Sequence, residues 1–167
     1  MSSILTRLNK TQLVKASVLT LTPFLLMLKT GEWLGSISAY YHSAAHDDFI
    51  ILLVISALMY ADDGIYRKNF WNITIGLSLI GVAYFDLVNH KTLHYIFAGY
   101  FFIGTCLSMI IDSSKKQRPY KIAVCVFILI VMCSHFIFDL FSLLVAEWIA
   151  TIPMSLHFIG ESSGKID

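Results

Sequence analysis

Ser36-Ile37-Ser38-Ala39-Tyr40-Tyr41-His42-Ser43-Ala44-Ala45-His46-Asp47-Asp48 separates two strongly apolar segments, and within it stand two histidines, two aspartates, three serines and a Tyr-Tyr pair. Polar residues at that density between hydrocarbon stretches mark a place where one membrane helix leaves the bilayer and the next enters it. Upstream, the run from Leu13 to Leu28 reads as a span, and downstream Phe49 to Ala61 reads as another whose apolar part is short. The second helix is therefore expected to begin within Ser43 to Asp48, holding those polar side chains at the membrane edge.

The same reading extends to the whole chain of 167 residues. With 57% hydrophobic and only 14% charged residues, and a mean hydropathy of +0.72, it cannot cover itself with a polar surface in water. An all-α, polytopic transmembrane bundle is expected, a single domain over residues 1–167 with no separate soluble part. A span needs about 20 apolar residues. Six are expected, at about residues 13–28, 47–61, 70–86, 93–111, 121–138 and 141–159, with an amphipathic interfacial segment over 1–12. The break in the long apolar stretch Ile122 to Ile159 is set at Asp139, and Asp62-Asp63-Gly64 with Arg67-Lys68-Asn69 reads as a turn. The first helix is read as retained, since no small-x-small cleavage site closes it. Cys106, Cys125 and Cys133 lie in apolar stretches without metal-site or redox spacing. No basic run or acidic tail points to nucleic acid.

With these spans, all twelve Lys and Arg residues except Lys29 and Lys91 fall on one side. By the positive-inside rule that side, with both termini, is cytoplasmic, and the location expected is a bacterial inner membrane. The opposite face then collects every histidine except His157, together with Asp47, Asp48, Asp86 and Asp139. His90 and His94, and again His135 and Asp139, are four apart, so on a helix each pair shares one side. Ser38 and His42 share that spacing if their segment is an α-helix.

Imidazole and carboxylate are ordinary zinc ligands, and three with a water in the open position bring that water's pKa to about 7. The candidate ligands are His42, His94 and His135, with Asp86 as general base and the Ser38 hydroxyl as donor to a developing oxyanion. His46, Asp47, His90 and Asp139 form a possible additional site. Zinc-dependent hydrolysis of lipid-like amides or esters is the reading in the catalytic class. A non-catalytic exclusion, immunity or transport component, whose polar outer face binds a membrane-protein partner or another copy of the chain, is the reading in the other. Polar residues also gather at helix ends simply because they cost least there. A proton-linked carrier using His94, His135 and Glu147 needs a polar path to the inner face, and the inner halves of the spans read as nearly all apolar. No partner for Glu147 is visible in the sequence.

The Ser36-Ile37-Ser38-Ala39-Tyr40-Tyr41-His42 run, followed by Asp47 and a helix, resembles a widespread family of uncharacterised bacterial multi-span proteins in which Ser-x-Ser-x-Tyr-Tyr leads to a basic residue and an aspartate. His94, Ala98 and Phe101-Phe102 extend the likeness, and His46 stands where that family usually has arginine. The resemblance implies fold and membrane location, with no established activity. A more distant likeness is to the alkaline-ceramidase and adiponectin-receptor superfamily of seven-span zinc hydrolases. Ser38-x3-His42 is similar to its first motif and Asp86 to its aspartate. Its closing His-x3-His reads here as His135-x3-Asp139, while His90-x3-His94 comes earlier. That resemblance implies zinc ligation and hydrolysis.

Overall fold

The computed structural model describes the backbone of residues 2–164 and the side chains of residues 10–164. The chain runs through α1 (Ser2–Thr30), a short 3₁₀ helix (Ile37–His42), α2 (His46–Arg67), α3 (Phe70–Tyr84), α4 (Lys91–Ile111), α5 (Arg118–Phe138) and α6 (Leu143–Ser162). No strand occurs among the described residues. Among the described residues, five helices have the length and hydropathy to cross a membrane: α1 over Lys10–Thr30, α2, α4, α5 and α6. The third helix, α3, has 15 residues, a rise of about 22 Å against a hydrocarbon thickness of about 30 Å. Met1 and residues 165–167, and all side chains of the interfacial segment expected over 1–12 except those of Lys10, Thr11 and Gln12, lie outside the described residues. Thr11 and Gln12 are buried.

Helix α3 is held tightly between α2 and α4. A Cβ on Gly76 would lie 2.6 Å from the Ala57 carbonyl oxygen, and one on Gly81 would lie 2.4 Å from the Phe97 ring. Missing side chains thus let the backbones approach, the usual device of helices packed in lipid. By contrast α5 turns Ile122, Val126, Leu129, Ile130 and Ile137 outward, a spacing that follows the helical period and suits contact with lipid.

Two apolar cores stack along the bundle. One joins Leu19, Tyr60, Ile75, Phe101, Ile128 and Phe158. The other joins Leu26, Tyr40, Phe49, Val82 and Leu144. Tyr40 belongs to the 3₁₀ helix, so the polar run Ser36 to Asp48 is folded into the end of the bundle. Its hydroxyl donates to the Glu32 carbonyl at 2.9 Å and accepts from the Leu34 amide at 3.2 Å. Ser36 caps the 3₁₀ helix by accepting from the Ala39 amide at 3.0 Å, and the Leu144 amide donates to the Gly35 carbonyl at 2.8 Å. Turn and helix start then follow at Ser43 to His46.

Candidate functional site

The 3₁₀ geometry decides which side chains meet. Each residue turns about 120°, so Ser38 and His42 point in different directions and do not act as the co-facial pair expected of an α-helix. Ser38 turns inward, where its Oγ lies 2.8 Å from His94 Nε2. On the other side of that ring, Nδ1 lies 2.7 Å from the Phe85 carbonyl. A carbonyl only accepts, so Nδ1 carries the proton and Nε2 is the acceptor for the Ser38 hydroxyl. Both side chains are buried. A hydroxyl bonded to an imidazole whose far nitrogen is fixed by a third group is the arrangement of an activated nucleophile.

Two cavities meet at Ser38. A small one of about 60 Å³ is lined by Thr22, Ser38, Ser56, Glu147 and Thr151 among others. A larger one of about 430 Å³, lined by Ser38, His94, Phe102, Met132, Phe136 and Glu147 among others, runs between α4, α5 and α6. Its walls are apolar except at the Ser38 end, and the volume lies in the range of small-molecule sites. Glu147, which the sequence left without a partner, accepts from the Ile37 amide at 2.7 Å and so ties α6 to the 3₁₀ helix.

Asp86 does not reach Ser38 as a hydrogen-bond partner; it organises the turn between α3 and α4. Its Oδ1 accepts from the Val88 amide at 2.9 Å and the Asn89 amide at 2.8 Å, and the Asn89 side-chain amide donates to both carboxylate oxygens. The Asn89 amide, with further help from the Asn89 side chain, His90 and Val88, holds this carboxyl well below the usual aspartate range against the opposing effect of burial. His42 Nε2 lies 3.1 Å from Oδ1 and His90 Nδ1 lies 3.3 Å from Oδ2. His90 is the N-cap of α4 with non-helical backbone, and its ring meets Asp86 while the ring of His94 meets Ser38 and the Phe85 carbonyl.

The remaining outer residues serve elsewhere. His46 Nδ1 donates to the Tyr41 carbonyl at 2.6 Å, and Asp47 lies in the first turn of α2, where a negative charge is favourable. His135 Nδ1 donates to the Phe141 carbonyl at 2.8 Å and stands 3.7 Å from Asp139, which closes α5 with φ 49°. The expected zinc ligands His42, His94 and His135 are thus engaged by three different acceptors, and among the described residues no group of three His, Cys, Asp or Glu side chains is placed to hold a metal ion. The donor set does not fit zinc as expected.

A second polar constellation lies at the opposite end, correcting the reading of nearly apolar inner halves. Buried Asp63 accepts from Gln12 Nε2 at 3.0 Å, Lys15 Nζ at 3.4 Å, Arg67 Nε at 2.7 Å and Asn72 Nδ2 at 2.7 Å. Arg67 also bonds Glu161 at 3.0 Å, and Ser108 bridges Asn72 and Asp112. Lys15 Nζ sits over the Phe158 ring at 3.9 Å and the Tyr60 ring at 4.5 Å. The expected turn at Asp62 to Asn69 is shorter, because α2 continues to Arg67 and Lys68 closes it with φ 53°. The i, i+4 pairs Asp63/Arg67, Ser108/Asp112 and His157/Glu161 were the available signal.

Among the described residues, these features define an all-helical membrane protein with an internal Ser–His pair and a buried ion network. A family model described as Family of unknown function (DUF7103) matches residues 21–162, and the chain belongs to that family. No curated protein and no solved structure matches the chain. The likeness to the ceramidase and adiponectin-receptor superfamily finds no support among these comparisons.

Proposed function

We propose that this chain is an integral membrane hydrolase that cleaves lipid-like esters or amides through the Ser38–His94 pair. The observation that carries the proposal is the 2.8 Å Ser38 Oγ to His94 Nε2 contact at the end of an apolar cavity of about 430 Å³. The apolar walls suit an acyl chain entering between α4 and α5, which would bring its carbonyl carbon to Ser38. Ser38 Oγ attacks that carbon while His94 Nε2 takes the hydroxyl proton, then delivers it to the leaving alcohol or amine as the carbon–heteroatom bond breaks. Water, again deprotonated by His94, hydrolyses the acyl-serine and restores both residues. Phe85 holds His94 in the required tautomer throughout. In this reading all six helices cross a bacterial inner membrane, both termini are cytoplasmic, and the site opens toward the periplasmic half.

A serine-reactive fluorophosphonate probe applied to the detergent-purified protein tests this. It should label Ser38, and ester turnover should fall by about 10²- to 10⁴-fold in His94→Gln. Labelling that persists in Ser38→Ala, or turnover unchanged by that substitution, overturns it.

A second reading, a non-catalytic protein whose outer face binds a membrane-protein partner or another copy of the chain, is favoured by the half-exposed His42 and His90 beside Asp86 and by exposed Val88 and Leu140. It predicts that Ser38→Ala is silent, while substitutions at His42 and His90 weaken association.

A further inference from the structure

Glu147 is buried within α6, and a carboxyl group at such a place in a membrane helix is costly unless partnered. Its Oε2 accepts from the Ile37 amide at 2.7 Å. Ile37 immediately precedes Ser38, so this bond fixes the carboxylate next to the Ser38–His94 pair, and Glu147 lines both cavities that meet there. None of the described lining residues of those cavities is Lys or Arg, and His94 presents Nε2 as an acceptor. The carboxylate therefore meets a hydrogen-bond donor in this wall but no cation.

The smaller cavity, of about 60 Å³, has a one-sided chemistry. A hydroxyl has a single hydrogen to donate. Thr22 Oγ1 donates it to the Val18 carbonyl at 2.7 Å, Ser56 Oγ to the Leu52 carbonyl at 2.9 Å, and Thr151 Oγ1 to the Trp148 carbonyl at 3.0 Å. Ser38 Oγ donates to His94 at 2.8 Å. All four hydroxyls and the Glu147 carboxylate are thus left as acceptors. Leu19, Phe49 and Leu53 contribute apolar wall. At about 10–15 Å³ for each water-sized group, the space takes roughly four such groups. A short hydrocarbon stem ending in an ammonium, which offers three N–H donors and a positive charge, matches the acceptors, the missing counter-charge and the apolar wall.

We propose that the smaller cavity binds a primary ammonium group on the head of the acyl substrate, with Glu147 as its counter-ion. Placing the ammonium on a substrate rests on the Ser38 hydrolase reading, whereas the ammonium site itself rests only on the acceptors around it. The acyl chain occupies the larger cavity, the ester or amide carbonyl meets Ser38, and the short head points into the smaller cavity. Cleavage of the carbon–heteroatom bond releases the head as a small amine or amino alcohol, and water supplies the oxygen that completes the fatty acid. A neutral head of the same size leaves the carboxylate without a counter-charge, and an anionic head is repelled by it.

The test compares N-(2-aminoethyl)decanamide with N-propyldecanamide, which has a methyl where the first has its ammonium. Binding of each to detergent-purified Ser38→Ala protein, which cannot turn them over, is measured by isothermal titration calorimetry. The ammonium compound should bind at least about tenfold more tightly. Glu147→Gln keeps an acceptor for the Ile37 amide and should abolish the preference while the propyl compound still binds. Thr151→Val, nearly the same in shape and distant in sequence from the Ile37 contact, removes one acceptor and should narrow the preference, which keeps the test decisive if the Gln variant misfolds. Equal affinity for the two amides overturns the proposal, as does an equal affinity for the neutral donor N-(2-hydroxyethyl)decanamide or a preference that survives in both variants. The two readings fail separately. Fluorophosphonate labelling of Ser38 without an ammonium preference removes this inference and keeps the hydrolase. An ammonium preference in Ser38→Ala, with neither amide cleaved by the wild type, keeps the ammonium site and removes the hydrolase.

Discussion

Asp86 shows how one carboxylate can be held ionised by local backbone rather than by a formal salt bridge. Its strongest support is the Asn89 amide, and a carboxylate that accepts several N–H bonds loses its proton more readily than in water. Its folded-state pKa is lowered, so the stability it contributes is present above the unfolded value of about 4 and is lost only as pH falls through the lower folded value. Between pH 5 and pH 8 the thermal stability of the purified protein should therefore be insensitive to this group. Asp86→Asn should lower the melting temperature at pH 7, and its deficit should shrink as the wild type is acidified below about pH 4. A deficit independent of pH would mean that shape, not charge, is what the turn requires. His94 lies near enough to Asp86 to feel its charge, but its tautomer is set by Phe85, so this variant should retain part of any Ser38-dependent turnover.

Among the elements, the 3₁₀ helix has the largest consequence, because it converts a polar connection into a buried insert. Tyr40 anchors it, and Tyr40→Phe would take from the half-buried Leu34 amide and the Glu32 carbonyl their shared partner, a loss of about 0.5–1.5 kcal/mol. The melting temperature should drop while the helical circular-dichroism signal is kept. At the α2–α3 contact, Gly76→Ala places a methyl 2.6 Å from a backbone oxygen, which cannot rotate away as a side chain can. Overpacking of this kind costs about 1–3 kcal/mol, and an unchanged melting temperature would show that the two helices are free to part. The apolar segments were legible because burial in lipid needs only length and hydropathy. Which polar residues meet was not, because the periodicity of 36–48 does not distinguish a 3₁₀ turn from an α turn, and that difference separates Ser38 from His42. Ser38 and His94 were each recognisable as candidates, but their pairing depends on how far the 3₁₀ helix folds into the bundle. In the sequence Asp63 has the signature of a turn, because Asp-Asp-Gly is turn chemistry, whereas in the fold α2 runs past it and donors from α1, α2 and α3 surround its carboxylate.

On the scale of the molecule, the two polar ends divide the labour of holding the bundle and exposing a site. The Asp63 network ties the beginning of α1 to the ends of α2 and α6 and the start of α3, so the first and last helices meet at the same end. Breaking a buried ion pair from one side leaves an uncompensated charge, at a cost of about 3–5 kcal/mol. Asp63→Asn should therefore reduce the yield of monodisperse protein, and adding Lys15→Met should restore part of it. Partial rescue separates charge compensation from loss of shape, since the double variant is the more heavily altered. The sidedness of this end decides what the Ser38 cavity can meet. In the orientation proposed above from the Lys and Arg excess, the Asp63 end is cytoplasmic and His90 lies on the external side. Cys106 and Cys125 are buried, and Cys133 is exposed, so Cys133→Ser removes the accessible native thiol. In that background, a membrane-impermeant maleimide added to intact cells should label a cysteine replacing His90 and spare one replacing Lys116, whereas lysed cells should label both. Labelling of the Lys116 position from outside would invert the bundle and turn the Ser38 cavity toward the cytoplasmic leaflet.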